Sequence, residues 1–128
     1  MFDRRRFLVA SAALPLFAAQ AHAAPQAFTQ AAFQAAQAAG RPILVEVSAP
    51  WCPTCRAQKP ILSDLTARER FRGFTVLTVD FDSQKDVLRQ LRVQMQSTLI
   101  VFRGAEEKGR STGDTNRASI EALLAKAI

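Results

Sequence analysis

Residues 43 to 47, Ile43-Leu44-Val45-Glu46-Val47, form a short β-branched run that is apolar at odd and even positions alike, bounded by Pro42 and the turn residues Ser48-Ala49-Pro50. Successive side chains of a strand point to opposite faces, so such a strand needs apolar cover on both sides. Helical patterns that can supply it surround the run. Thr29 suits a helix N-cap, with Phe28 just before it and Phe33 four positions in, the spacing of a hydrophobic staple; Gly40 and Pro42 stop that helix. A second helix follows Cys55, with Ile61, Leu62 and Leu65 facing one way and Lys59, Asp64 and Arg68 the other; Pro60 inside it should produce a kink.

Residues 74 to 81 alternate as a second strand, and Ser83 can cap a short helix that buries Val87, Leu88 and Leu91. Residues 98 to 102 read as a third strand, and Gly104 and Gly109 flank a turn into a weaker fourth at 110 to 112. A final helix from about Thr115 places Ile120, Leu123 and Leu124 on one stripe, and residues 24 to 27 read as a loose tail. This order predicts an α/β domain with a mixed central sheet of about four strands and helices on both faces. The 128 residues, 48% hydrophobic and 22% charged, suffice for one such core and are too apolar for a disordered chain.

The first 23 residues stand apart. Three arginines, an apolar stretch from Phe7 to Ala19 and the terminal Ala21-His22-Ala23 have the layout of a cleavable export signal, too short to span a bilayer. Arg4-Arg5-Arg6-Phe7-Leu8 resembles the twin-arginine signal of cargo exported already folded. We therefore expect 1–23 to be removed and 24–128 to act in the bacterial periplasm, with membrane contact only during export. Removal takes three arginines, one aspartate and the only histidine, and lowers the formal net charge from +6 to about +4. The remaining basic residues are dispersed; Arg68, Arg70 and Arg72 are interrupted by Glu69 and read as a solvated helix end, so a nucleic-acid partner is not expected.

Trp51-Cys52-Pro53-Thr54-Cys55 sits where the buried strand gives way to a helix. A sulfur at such a junction lies near the free amides of the helix N-terminus, which stabilise a thiolate, and a second cysteine three positions on can reach back to close a disulfide. Pro53 suits a first helical turn because it has no amide hydrogen to leave unpaired. The same two sulfurs are compatible with half of a zinc site or with buried apolar cysteines. They also suit a metal module taking copper(I) or a cluster shared between two chains, with Met95 as a further soft donor.

Residues 48 to 56, with Pro60 five positions after Cys55, resemble the active-site segment of the thioredoxin superfamily, and the resemblance extends over essentially the whole of 28–128. It implies a thioredoxin-like fold and thiol–disulfide exchange with protein substrates, fed by an upstream electron donor or acceptor, with no cofactor or resident metal. It makes Cys52 the nucleophile, Cys55 the resolving thiol, and Trp51 and Pro53 part of the substrate-facing surface. Glu46, six residues before Cys52, matches a buried acidic residue of the family. Buried without a cation, its carboxyl would be pushed up in pKa and would accept the proton of Cys55. The family's cis-proline opposite the active site is replaced by Ser97, and no proline follows Pro60. A cis bond before a non-proline residue costs about 3 to 4 kcal/mol, so we expect Gln96-Ser97 to be trans. Gln96 and Thr98 remain able to pair with a substrate strand, and the Ser97 hydroxyl to bond the Cys52 thiolate or admit a metal. The protein is expected to work as a monomer.

Overall fold

Five strands form one mixed sheet, in the spatial order 26–27, 75–80, 42–48, 98–103 and 106–112, in a computed structural model that describes residues 10–14 and 24–128. The arginines of the expected export signal and its Ala21-His22-Ala23 terminus lie outside the described residues. The strands are β1 (Gln26–Ala27), β2 (Pro42–Ser48), β3 (Thr75–Asp80), β4 (Thr98–Arg103) and β5 (Glu106–Thr112); the helices are α1 (Gln30–Ala38), α2 (Pro53–Ala67), α3 (Lys85–Leu91) and α4 (Arg117–Ala125). β2 is central, parallel to β3 and antiparallel to β4. Its odd-numbered residues Ile43, Val45 and Val47 pack with Phe33 of α1 and with Val87, Leu88 and Leu91 of α3. On the opposite face Leu44 packs with Leu62 and Leu65 of α2 and with Ile120, Leu123 and Leu124 of α4. A strand apolar on both faces thus sits between two helical layers, as its composition requires.

Thr29 caps α1, its side chain accepting from Ala32 N–H at 3.0 Å, and the Phe28 and Phe33 rings meet at 5.1 Å. Gly40 ends that helix at φ +68°, a conformation with little cost only for glycine. Segment 24–27 corrects the expected loose tail. Gln26 and Ala27 pair with Leu77 and Thr78 as a fifth, edge strand, extended by Phe28 N–H to Thr78 C=O at 2.8 Å. Backbone groups make this pairing, which an exposed Gln-Ala pair cannot announce.

Other boundaries shift. Ser83 does not cap α3; Gln84 occupies that place without a side-chain bond to the helix. α4 starts at Arg117, close to the expected position, and Asn116 caps it by accepting the Ser119 N–H at 3.0 Å. β4 and β5 are joined across Gly104 and Ala105, so β5 is longer than expected and Gly109 lies inside it, opposite Val101. A Cβ on Gly109 would stand 3.0 Å from Leu123 Cδ1, so this glycine lets α4 lie close on the sheet. The basic cluster at the end of α2 is a 3₁₀ turn, Glu69–Phe71, that buries Phe71, with Arg68 paired to Glu121 at 3.1 Å. α2 runs uninterrupted past Pro60 and pairs with α4 through Asp64 and Arg117; the guanidinium holds that exposed carboxyl below its usual range, by its hydrogen bond first and its charge second.

Candidate active site

At the C-terminal end of β2 the chain turns through Ala49 and Pro50 and starts α2 at Pro53, its N1 position. Cys52 is the N-cap: its backbone is extended (φ −89°, ψ 108°) and its Sγ accepts the Cys55 N–H at 3.1 Å. A side chain that takes up a free amide normally carries oxygen; here it is the sulfur expected to react. The two cysteines are joined as a disulfide with Cα atoms 5.3 Å apart, within the range such a bond requires. Cys55 Sγ lies 3.9 Å from the Val47 carbonyl oxygen. Cys52 is 1% exposed and Cys55 2%, packed with Ala49 and Phe81. A partner must therefore dock on the surrounding rim to reach sulfur.

Trp51 and Pro53 form that rim. Trp51 is 53% exposed yet fixed: its indole N–H donates to both Asp82 carboxylate oxygens, at 2.9 and 3.1 Å, and its ring meets Phe81 edge to face at 6.2 Å. A large aromatic surface held still costs little entropy when a partner covers it.

Glu46 is buried on the α2 face of the sheet, and the expectation that it lacks a cation is corrected. Lys59, assigned to the solvent face of the helix, turns its ammonium to 3.4 Å from Glu46 Oε1, which also accepts the Thr78 hydroxyl at 2.9 Å. The Lys59 side chain is half exposed, long enough to lie along the helix and still reach inward. Glu46, Lys59 and Thr78 border a cavity of about 200 Å³, lined also by Leu62, Thr66 and Val76.

Ser97 is reached by a trans bond, as expected, since no described peptide bond is cis; its φ of +58° is the left-handed region. Its N–H donates to the Val47 carbonyl at 2.8 Å and its carbonyl accepts the Gly113 N–H at 3.0 Å. With the cysteines joined as a disulfide, its hydroxyl donates to the Gln96 carbonyl at 2.5 Å. Thr98 is buried at the start of β4, opposite Thr112, with its hydroxyl on the Met95 carbonyl at 2.7 Å. Of these three, only Gln96 keeps part of its surface open. Because a left-handed non-glycine residue stores about 1 to 2 kcal/mol, Ser97→Gly is expected to leave stability within about 1 kcal/mol. Ser97→Val should cost about 2 kcal/mol or more, read from urea midpoints.

Among the described residues no group of three or more His, Cys, Asp or Glu side chains converges, and Met95 stands 53% exposed on the surface. Three residues at the site escape a reading of the sequence: Asp82, Lys59 and Gln58. Asp82 is 31 positions from Trp51 and carries no local mark. Gln58 had one: it follows Cys55 by three and precedes Leu62 by four, a polar residue in a buried stripe.

The chain matches the model of the Thioredoxin family over residues 24–126. It is 30% identical to the thioredoxin of Alicyclobacillus acidocaldarius over 105 residues, covering 82% of this chain and 99% of that one. Rice thioredoxin H2-1 is 34% identical over 71 residues, 56% of this chain; the chain spans about half the length of that relative. Among solved structures, Trxlp from Edwardsiella tarda EIB202 superposes with a TM-score of 0.77 at 42% identity, covering 79% of this chain and 98% of that one.

Proposed function

The chain belongs to the thioredoxin family, and we propose that it is an exported thiol–disulfide oxidoreductase acting on protein substrates in the periplasm. The observation that carries the reading is the Cys52–Cys55 disulfide closed across the first turn of α2, with Cys52 Sγ on the helix-terminal amide. After reduction the same N–H faces the Cys52 thiolate and favours the ionised sulfur. In the reductive direction the thiolate attacks a substrate disulfide; the substrate S–S bond breaks, a mixed disulfide forms, and one substrate sulfur leaves as thiolate and takes a proton. Cys55 then loses its proton to Glu46 and attacks Cys52 Sγ. The substrate leaves as a dithiol, and two electrons have passed to it.

Trp51, Pro53 and Gln96 form the docking surface, with Thr98 and Ser97 fixing the loop behind it. An upstream dithiol must return Cys52 and Cys55 to thiols for another cycle. Export is supported by the Arg4-Arg5-Arg6-Phe7-Leu8 signal and by the start of the matched domain at residue 24, just past Ala21-His22-Ala23. Catalysis of insulin disulfide reduction by dithiothreitol tests the activity: the protein is expected to accelerate it at micromolar concentration. A rate equal to that of dithiothreitol alone contradicts the reading.

A further inference from the structure

Gln58 is 2% exposed on the face of α2 that carries Cys55. Both hydrogens of its side-chain amide are spent on backbone carbonyls of two separate loops, Ser97 at 3.1 Å and Asp114 at 2.9 Å. Ser97 belongs to the loop that leads into β4, and Asp114 follows β5. The bonds tie the helix bearing the reactive pair to the loop opposite it. A buried glutamine amide is costly to leave unpaired, so its place in an otherwise apolar stripe needs a compensating set of bonds, which these two carbonyls supply.

The Ser97 backbone explains what the bonds hold. With φ at +58° this serine is in a conformation that its side chain disfavours, and it persists only because its surroundings over-determine it. Its N–H is anchored on Val47, the residue whose carbonyl lies near Cys55 Sγ, and its carbonyl is shared between Gly113 N–H and Gln58 Nε2. Gln58 is the one side chain in this set. We propose that Gln58 is a positioning residue: its amide holds Ser97 left-handed and thereby presents Gln96, at the end of β2 that leads into the cysteines, for pairing with the backbone of a protein substrate.

The proposal rests on the thiol–disulfide reading, and its test separates the two. A small aryl disulfide such as DTNB needs no strand pairing, whereas insulin does. Gln58→Met, similar in length and lacking the amide, is expected to raise the KM for insulin about tenfold with kcat within threefold, and to leave the DTNB rate of the reduced protein within twofold. Gln58→Asn, which keeps the amide but is one methylene too short to reach both carbonyls, should show the same selective loss even if the methionine variant folds poorly. Insulin and DTNB rates falling together, or an insulin KM within twofold of wild type in both variants, would overturn the proposal. A wild-type protein inert toward both reagents would instead sink the activity itself.

Discussion

Cys55→Ser is expected to abolish turnover, by 10³-fold or more, while leaving Cys52 able to attack. Cys52 then keeps its first partner as a mixed disulfide, because the sulfur that would displace it is gone. Mass spectrometry of the reduced variant mixed with oxidised insulin should show a one-to-one covalent adduct that dithiothreitol releases. Cys52→Ser should form no adduct. Exposure does not separate the two sulfurs, but position does: Cys55 sits against the Val47 carbonyl, whereas Cys52 is the cap of α2, next to exposed Trp51, and this assigns the attack to Cys52 in the present proposal. Equal adduct formation by both single variants would refute the assignment of roles.

Glu46→Gln is the second large effect expected. A positioned general base typically contributes about 10²- to 10⁴-fold, and removing this one should slow release of the mixed disulfide by at least about tenfold. Stability should change little. The partner ammonium of Lys59 is half exposed and can turn to water, so breaking this pair does not strand a buried charge. Stopped-flow traces of Trp51 fluorescence should resolve a normal attack phase followed by a slowed release phase. Unchanged release with lowered stability would make Glu46 a structural residue only.

Much of this site can be read from the chain itself, because local rules carry it. The staple of Phe28 and Phe33, the cap at Thr29 and the stop at Gly40 obey spacing and backbone constraints within a few residues. Val45 and Leu44 face opposite layers because strand geometry leaves no other choice. The two cysteines on a helix N-terminus announce their chemistry by position.

What the sequence conceals is long-range pairing. β1 depends on backbone bonds to Thr78 from residues with no apolar pattern. Lys59 is a solvent-face residue by periodicity, and only the flexibility of its side chain and the burial of Glu46 bring them together. Ser97 stands where the family resemblance leads one to expect a proline, but its left-handed backbone and its bond to Gln58 arise from the packing of α2 against two loops.

Reversible two-electron exchange between Cys52 and Cys55 is the claim on which the rest depends, and a redox titration followed by the fluorescence of Trp51, the chain's only tryptophan, tests it most directly. One reversible transition is expected, with a two-electron slope and a midpoint between about −270 mV, the range of a reductant, and about −120 mV, that of an oxidant, absent in Cys55→Ser. No reversible transition by Trp51 fluorescence or by direct thiol counting would contradict it.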